Sequence, residues 1–239
     1  MGLVIKKTIA ALTIFLIVPF AIIATNWYWQ PESLDNTSKY FFWITETASY
    51  PWAIITSIML FVMFCLLIPR KTKKNVILLW LLLVMAMLGG QIVKTIIKSQ
   101  TAQSRPYVLW LGKEYNLNDK QFYSLPKSER KAVIQNLLAN SHPIPNWLAK
   151  HWQSETGYSF PSGHTLFSAT WAFLAISLLS FRRHYIIVSL LGIWALLIEL
   201  SRILLGMHCP IDLICGLLLA WLISLICCFY ARKWHILDR

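Results

Sequence analysis

The sequence NVILLWLLLVMAMLGGQIVKTII, residues 75–97, decides the class of this protein. Its only ionisable side chain is Lys94, near the C-terminal end. A helix that crosses a bilayer needs about 20 consecutive apolar residues, so this stretch predicts a transmembrane helix. The composition of the whole chain is also typical of a membrane protein, because 57% of its 239 residues are hydrophobic and only 13% are charged. Soluble domains carry roughly a quarter of charged residues.

Five further apolar stretches have the length and composition of membrane spans. Together with residues 75–97 they predict six transmembrane helices, at residues 8–25, 51–68, 75–97, 162–180, 185–205 and 210–230. We therefore predict an all-α integral membrane protein in which residues 1–239 form a single domain. Lys6 and Lys7 precede the first span, as in a signal peptide, but no small-residue cleavage site follows it. This pattern favours a retained membrane anchor.

Lysine and arginine residues cluster at alternate ends of the spans. The clusters lie at residues 6–7, 70–74, 182–183 and 232–233. Because positively charged loops stay in the cytoplasm, we expect both chain termini to be cytoplasmic. The periplasmic side then holds residues 26–50, residues 98–160 and the tight turn at residues 206–210. The chain has no eukaryotic targeting signal, so we expect a bacterial inner-membrane protein.

Residues 98–160 are too polar to cross a bilayer and form a predicted periplasmic insert between the third and fourth spans. Apolar residues at helical spacing predict a helix at residues 128–139, with Ser128 as its N-cap. Trp147 and Trp152 suggest that the insert returns along the membrane surface, where tryptophan is enriched. The insert is either a solvated cap or a lid over a site.

Ionisable side chains gather at the predicted periplasmic ends of the spans. In chain order they are Lys94, Lys98, Arg105, His164, Glu199, Arg202, His208 and Asp212. Charges at membrane depth are costly and indicate function. Each residue also has a structural explanation: Lys94 can reach outward to the interface, and Arg202 can pair with Glu199 one helical turn away. Such separate explanations do not account for the convergence of the whole set.

Three fixed cations, Lys98, Arg105 and Arg202, suit a multiply charged anion, and phosphate fits best. Ser162 at the predicted N-cap of the fourth span adds a helix N-terminus, whose free N–H groups bind phosphate. Gly163 lets the backbone approach a ligand closely. These residues therefore predict a phosphate-binding site.

His208 and Asp212 are four residues apart, with Pro210 between them as the predicted first residue of a helix. The Asp212 carboxylate can then accept the Nδ1 proton of His208, which leaves Nε2 free as a nucleophile. His164 is available as acid and base. The same side chains, with Glu199, could alternatively hold a metal. The neighbouring cations would repel a divalent ion, so we expect neither a metal nor another cofactor.

Three stretches of the chain resemble signature motifs of a known family. They are KSQTAQSRP (98–106), PSGH (161–164) and SRILLGMHCPID (201–212). The first, second and third resemble the motifs K-x6-RP, PSGH and SR-x5-H-x3-D of the type 2 phosphatidic acid phosphatase superfamily. All anchor residues occur in order and at the right spacing, and three ordered motifs are far more specific than one.

The resemblance implies a metal-independent lipid phosphatase with a role for each motif residue. His208 takes the phosphoryl group, Asp212 orients His208, and His164 protonates the leaving alkoxide and then activates water. The ligands of the transferring phosphoryl oxygens are Lys98, Arg105, Ser162, Gly163 and Arg202. Such fixed donors stabilise the charge that develops on the phosphoryl group.

Two further stretches, WYWQP (27–31) and FWITET (42–47), resemble bacterial members of this superfamily that act on phosphatidylglycerol phosphate. We therefore expect a lipid phosphomonoester as substrate, with phosphatidylglycerol phosphate as the first candidate. Undecaprenyl pyrophosphate and phosphatidic acid are alternatives, so the enzyme could also be a diphosphatase. The expected partners are this lipid and the bilayer, and neither nucleic acid nor an obligate protein partner is implied.

Two other classes of protein use a similar set of charges. An anion transporter would need polar residues spread across the membrane, whereas the cytoplasmic halves of these spans are almost purely apolar. Haloperoxidases that bind vanadate have a similar constellation of residues, but those relatives are soluble. The sequence therefore favours the lipid phosphatase. It assigns no role to Lys94 or Glu199.

Overall fold

The computed structural model describes residues 1–69, 71–139, 143–179 and 181–236, without the side chain of Arg182. These residues form no β-strand, so the all-α prediction is confirmed. The helices are α1 (Gly2–Ala24), α2 (Ser38–Glu46), α3 (Trp52–Leu67), α4 (Lys73–Thr101), α5 (Pro106–Tyr115), α6 (Asp119–Ser124), α7 (Lys127–Leu137), α8 (Asn146–Ser154), α9 (Gly163–Leu178), α10 (Phe181–Leu204) and α11 (Pro210–Lys233). Arg70 of the predicted basic clusters and Ser180 of the fourth predicted span lie outside the described residues.

Four helical stretches of the described chain are long and apolar enough to cross a membrane: Gly2–Ala24, Lys73–Tyr115, Arg183–Leu204 and Pro210–Lys233. The chain is therefore a multi-pass membrane protein. The apolar helices α3 and α9 have only 16 residues each. That length gives about 24 Å, less than the hydrocarbon thickness of about 30 Å. The full six-span topology stays a prediction.

Helices α1, α4, α10 and α11 run beyond the apolar stretches that predicted them, whereas α3 and α9 do not. Helix α4 continues to Thr101, so Lys98 lies in the last turn of this helix and the predicted insert, residues 98–160, begins within α4. Helix α1 already begins at Gly2 and includes Lys6. Hydropathy identifies the residues that are favourable in contact with lipid. The backbone hydrogen bonds of a helix can continue past them, through polar residues at the membrane interface. The apolar pattern therefore located these helices but underestimated their length.

Helix α9 lies at the centre of the bundle, in contact with α1, α4, α10 and α11. Every residue from Thr165 to Ala175 is buried, as expected of a helix that is apolar all round. Gly216 lets α11 approach the start of α9 closely, since a Cβ atom at this position would lie 3.0 Å from the Ser162 carbonyl oxygen. The segments that precede α9 and α11 are therefore held side by side.

The insert packs around its own apolar core. That core includes Tyr107, Leu111, Phe122, Ile134, Leu148 and Trp152. Trp152 is fully buried and stacks on Tyr107, with ring centroids 4.7 Å apart. Trp152 is therefore a core residue of the insert, and composition does not separate a core tryptophan from an interfacial one. The return of the insert along the membrane surface stays a prediction. Ser128 is not an N-cap, since α7 begins at Lys127 after Pro126.

The turn between α10 and α11 is fixed by contacts from distant parts of the chain. Its four successive carbonyls, at residues 204–207, each accept a hydrogen bond from outside the turn. The donors are the indoles of Trp29 and Trp152, the amide of Tyr107 and the guanidinium of Arg105, at 2.8, 3.0, 2.9 and 3.3 Å. His208 follows this turn directly, so the insert determines where that histidine lies.

Gly206 provides a test of this constraint. Its φ is +69°, and an added Cβ atom would lie 2.8 Å from Cδ2 of Trp29. We expect Gly206→Ala to lower the free energy of unfolding by about 1–3 kcal/mol through backbone strain and overpacking. Gly192→Ala in α10 is the matched control, because a Cβ atom there meets nothing within 4 Å. Thermal unfolding of the purified proteins measures both, and an unchanged Tm for Gly206→Ala would contradict the prediction.

Candidate active site

A cavity of about 1030 Å³ extends between α3, α4 and the insert. Its polar end is lined by Lys94, Lys98, Arg105, Glu155, Gly163, His164 and His208. Its other end is lined by apolar side chains of α3 and α4, among them Ile54, Ile58, Phe61, Met87 and Leu88. Five of the eight predicted site residues therefore line this cavity, and the other three, Ser162, Arg202 and Asp212, are buried.

His208 and Asp212 form the contact that their spacing predicts. Helix α11 begins at Pro210, and the Nδ1 atom of His208 lies 3.1 Å from Oδ2 of Asp212. The same oxygen accepts hydrogen bonds from the Cys209 amide, at 2.9 Å, and from the Ser159 hydroxyl. With Nδ1 directed at this carboxylate, the Nε2 atom of His208 makes no hydrogen bond within the described part of the chain.

The protonation state of His208 follows from its surroundings. Burial lowers the pKa of the imidazole, and the positive charges of Arg105 and Arg202 lower the pKa further. His208 is therefore neutral at neutral pH, as a nucleophile must be. Asp212, which accepts from Nδ1, keeps the proton off Nε2.

The start of α9 is tied to the start of α11. The backbone N–H of Ser162 donates to the Asp212 carbonyl, at 3.0 Å, so two of the three motifs are joined directly. The Ser162 hydroxyl caps α9, as predicted, and accepts from the amide of Thr165 at 3.3 Å. Gly163 leaves room for the stem of Lys94, whose Cδ atom would lie 2.9 Å from an added Cβ. Lys94 therefore lies over the first turn of α9.

Backbone carbonyls of the insert hold two of the predicted phosphate ligands. The Nζ atom of Lys98 donates to the carbonyls of Tyr158 and Ser159. Arg105 donates through Nε to the Gly157 carbonyl, at 2.7 Å, and through Nη1 to the Met207 carbonyl, at 3.3 Å. These contacts orient both side chains toward the cavity, and they leave Nη2 of Arg105 for another partner.

That partner is Glu155, which sequence reasoning missed. Oε2 of Glu155 lies 2.8 Å from Nη2 of Arg202 and 3.4 Å from Nη2 of Arg105. Its other oxygen, Oε1, lies 3.4 Å from Nε2 of His164. Arg202 therefore pairs with Glu155 and not with Glu199. The Glu199 carboxylate is buried without a hydrogen-bond partner among the described residues.

Glu155 carries a negative charge at neutral pH. Burial raises the pKa of its carboxyl group, but the nearby positive charges, Arg202 first among them, outweigh that effect. The net result is a pKa well below the usual range of a glutamate. The insert thus places a permanent anion among the groups that are predicted to bind phosphate.

Residues around α2 supply further contacts that the motifs do not include. The Ser49 hydroxyl lies 2.9 Å from Nε2 of His164, and Arg202 donates to the Thr45 hydroxyl at 2.9 Å. Glu46 lies 3.3 Å from Nδ1 of the buried His151. The resemblance of residues 42–47 to other family members is the one signal in the sequence that points to this segment.

The candidate metal ligands do not come together as a group. Among the described residues, no three His, Cys, Asp or Glu side chains are placed to hold a metal ion. Glu199 does not line the cavity, and the groups that line it with the two histidines include Lys98 and Arg105. The donor set around the cavity suits an anion.

Comparison with known proteins agrees with the site geometry. Residues 78–236 match the PAP2 superfamily, and the chain belongs to this superfamily. It is 39% identical over 230 residues to phosphatidylglycerophosphatase B of Escherichia coli (strain K12), a match that covers 95% of this chain and 89% of that protein. It is 34% identical over 235 residues to phosphatidylglycerophosphatase B of Haemophilus influenzae, covering 95% and 96% of the two chains.

Asp212 is the first residue to test at this site. We expect Asp212→Asn to lower kcat for phosphate release by roughly 10²–10⁴-fold, because His208 loses the carboxylate that fixes its tautomer and stabilises its positive charge. KM should change little, since Asp212 lies behind His208 and does not line the cavity. Ser159→Ala removes only one hydrogen bond to Asp212 and should cost less. Equal rates for Asp212→Asn and the wild type would contradict this role.

Proposed function

We propose that this chain is a metal-independent lipid phosphatase that hydrolyses a lipid phosphomonoester through a phosphohistidine on His208. The observation that carries the proposal is one cavity whose polar end holds His208, His164 and a cluster of cations and whose other end is apolar. Phosphatidylglycerol phosphate is the proposed substrate, supported by the names of the two relatives. Membership of the PAP2 superfamily favours this enzyme over an anion transporter.

The first step transfers the phosphoryl group to the enzyme. The lone pair on Nε2 of His208 attacks phosphorus, and the bond between phosphorus and the lipid oxygen breaks. His164 donates a proton to that oxygen, because an alkoxide is a poor leaving group. Asp212 stabilises the positive charge that develops on His208, while Arg105 and Arg202 stabilise the equatorial oxygens in the role that metals fill elsewhere.

The second step regenerates the enzyme. His164, now neutral, takes a proton from a water molecule whose oxygen attacks phosphorus. The bond between phosphorus and Nε2 breaks, which returns His208 to its neutral form and releases inorganic phosphate. His164 is again protonated at the end of the cycle and is ready for the next substrate.

The shape of the cavity supports access for the lipid from within the bilayer. Its apolar end lies between α3 and α4, and these two helices expose many apolar side chains, such as Ile58 and Leu88. Lipid tails would remain in this apolar end while the phosphate reaches the cations, since leaving the bilayer costs the tails about 0.8 kcal/mol per CH₂. We therefore propose lateral access between α3 and α4.

The proposed topology places this site at the periplasmic face of a bacterial inner membrane. Six spans with both termini in the cytoplasm agree with the positions of the basic clusters, such as residues 6–7 and 232–233. Residues 1–239 form one catalytic domain, in which residues 98–160 are the periplasmic cap. The buried core that the cap shares with Leu205 and Met207 favours a fixed cap over a freely opening lid.

Phosphate release from a panel of lipids tests the proposed activity. In the presence of EDTA, we expect the wild type to hydrolyse phosphatidylglycerol phosphate, and His208→Ala to lose activity by at least about 10⁴-fold. Undecaprenyl pyrophosphate and phosphatidic acid in the same panel separate the alternative substrates. A requirement for a divalent metal, or activity that survives His208→Ala, would overturn the mechanism.

Substitution of Ala53 tests the proposed access of lipid. Ala53 lines the cavity at the start of α3, so Ala53→Trp should fill the space that the tails need. We expect kcat/KM for a long-chain lipid phosphate to fall at least about tenfold, the effect of losing about 1.4 kcal/mol. Hydrolysis of a short, water-soluble phosphomonoester should change little. Ala10→Trp on the exposed face of α1 is the control, and equal losses on both substrates would rule out a role in lipid access.

A further inference from the structure

Glu155 uses the same donors that a phosphoryl group would use. Its carboxylate contacts Arg202, Arg105 and His164, at 2.8, 3.4 and 3.4 Å. Two of these residues are proposed phosphate ligands, and the third is the proposed acid. Glu155 also lines the catalytic cavity, and its side chain is 19% exposed. The site therefore contains an anion of its own, supplied by the residue that follows α8.

Apart from Nε of Arg202, which is buried and has no hydrogen-bond partner among the described residues, the other nitrogens of the two arginines are already engaged. Nε and Nη1 of Arg105 are engaged by the Gly157 and Met207 carbonyls, which leaves Nη2 for an anion. Nη1 of Arg202 is engaged by Thr45 and His151. In each arginine, Nη2 is the atom that meets Oε2 of Glu155. A phosphoryl oxygen that needs these two atoms must therefore displace the carboxylate or share them with it.

We propose that Glu155 is a specificity-determining residue, a built-in competitor that admits phosphomonoesters and excludes phosphodiesters. The inference rests on the proposed phosphatase activity of the same cavity. The discrimination rests on the different charges of the two kinds of ester. A phosphodiester has one negative charge and two free oxygens, as Glu155 itself has, so an exchange of one for the other brings no electrostatic gain. A phosphomonoester dianion has a second charge and a third oxygen, and it can therefore outcompete the carboxylate.

Such discrimination matters for an enzyme whose site opens into a bilayer. Bulk phospholipids carry phosphodiester head groups and far outnumber any lipid phosphomonoester. Without a competitor, Arg105 and Arg202 would attract these abundant monoanions. Competition from Glu155 for the Nη2 atoms of Arg105 and Arg202 supplies the unfavourable element that specificity against a common monoanion requires.

The neutral variant Glu155→Gln tests this proposal with almost no change in shape. We expect its Ki for inorganic phosphate to fall at least about tenfold relative to the wild type, a change of about 1.4 kcal/mol. We also expect phosphatidylglycerol in mixed micelles to become a competitive inhibitor of the variant, and not of the wild type. Glu129→Gln, at an exposed carboxylate of α7, is the matched control and should leave both values unchanged.

Glu155→Ala is a second variant, in case the glutamine retains contacts with the arginines. If both variants bind inorganic phosphate more weakly than the wild type, or if phosphatidylglycerol inhibits neither, Glu155 only holds Arg202 and His164 in place and the proposal is wrong. Calorimetric titration with inorganic phosphate gives the affinity without turnover. A wild type that binds phosphate but hydrolyses no lipid would refute the proposed function, whereas the effect of Glu155 on phosphate affinity would still be measured.

Discussion

The turn at residues 204–207 is the constraint on which the site depends. Its four carbonyls are bound by side chains and backbone that come from the first loop and from the insert. A buried carbonyl without a partner is costly, so these donors select one path for the turn. That path directs His208 into the cavity and starts α11 at Pro210, which in turn brings Asp212 back to the imidazole. The proposed catalytic pair is thus positioned by backbone hydrogen bonds and by its own contact.

An ion pair between buried charges joins the insert to the helix bundle. Arg202 is fully buried, and burial of an unpaired guanidinium would be strongly unfavourable. The insert supplies the compensating anion, Glu155, and that same residue meets Arg105 and His164. The backbone carbonyls of residues 157–159 also accept hydrogen bonds from Lys98 and Arg105. The residues just before α9 therefore link the proposed active site to the insert.

The short helix α9 connects the apolar interior of the bundle to the polar end of the cavity. This helix is buried on all sides within the bundle, and its first residues face the polar end of a cavity that is otherwise apolar. A polar site at the end of a buried helix can bind a charged head group while the lipid tails stay among apolar side chains. This arrangement suits the proposed catalysis by fixed donors, because a low dielectric strengthens their interaction with phosphate.

The sequence by itself determined the helical membrane class, the motif residues and the local contact of His208 with Asp212, because composition, apolar period and a four-residue spacing act over short distances along the chain. It did not show that Trp152 is a core residue, and it offered Glu199 as a partner for Arg202, since a local pattern does not show which side chains meet after folding. Only the tertiary structure brought Glu155 to Arg202, 47 residues away along the chain. The physical reason is that a buried cation needs its counter-charge in space, and the fold of the insert decides which carboxylate arrives there.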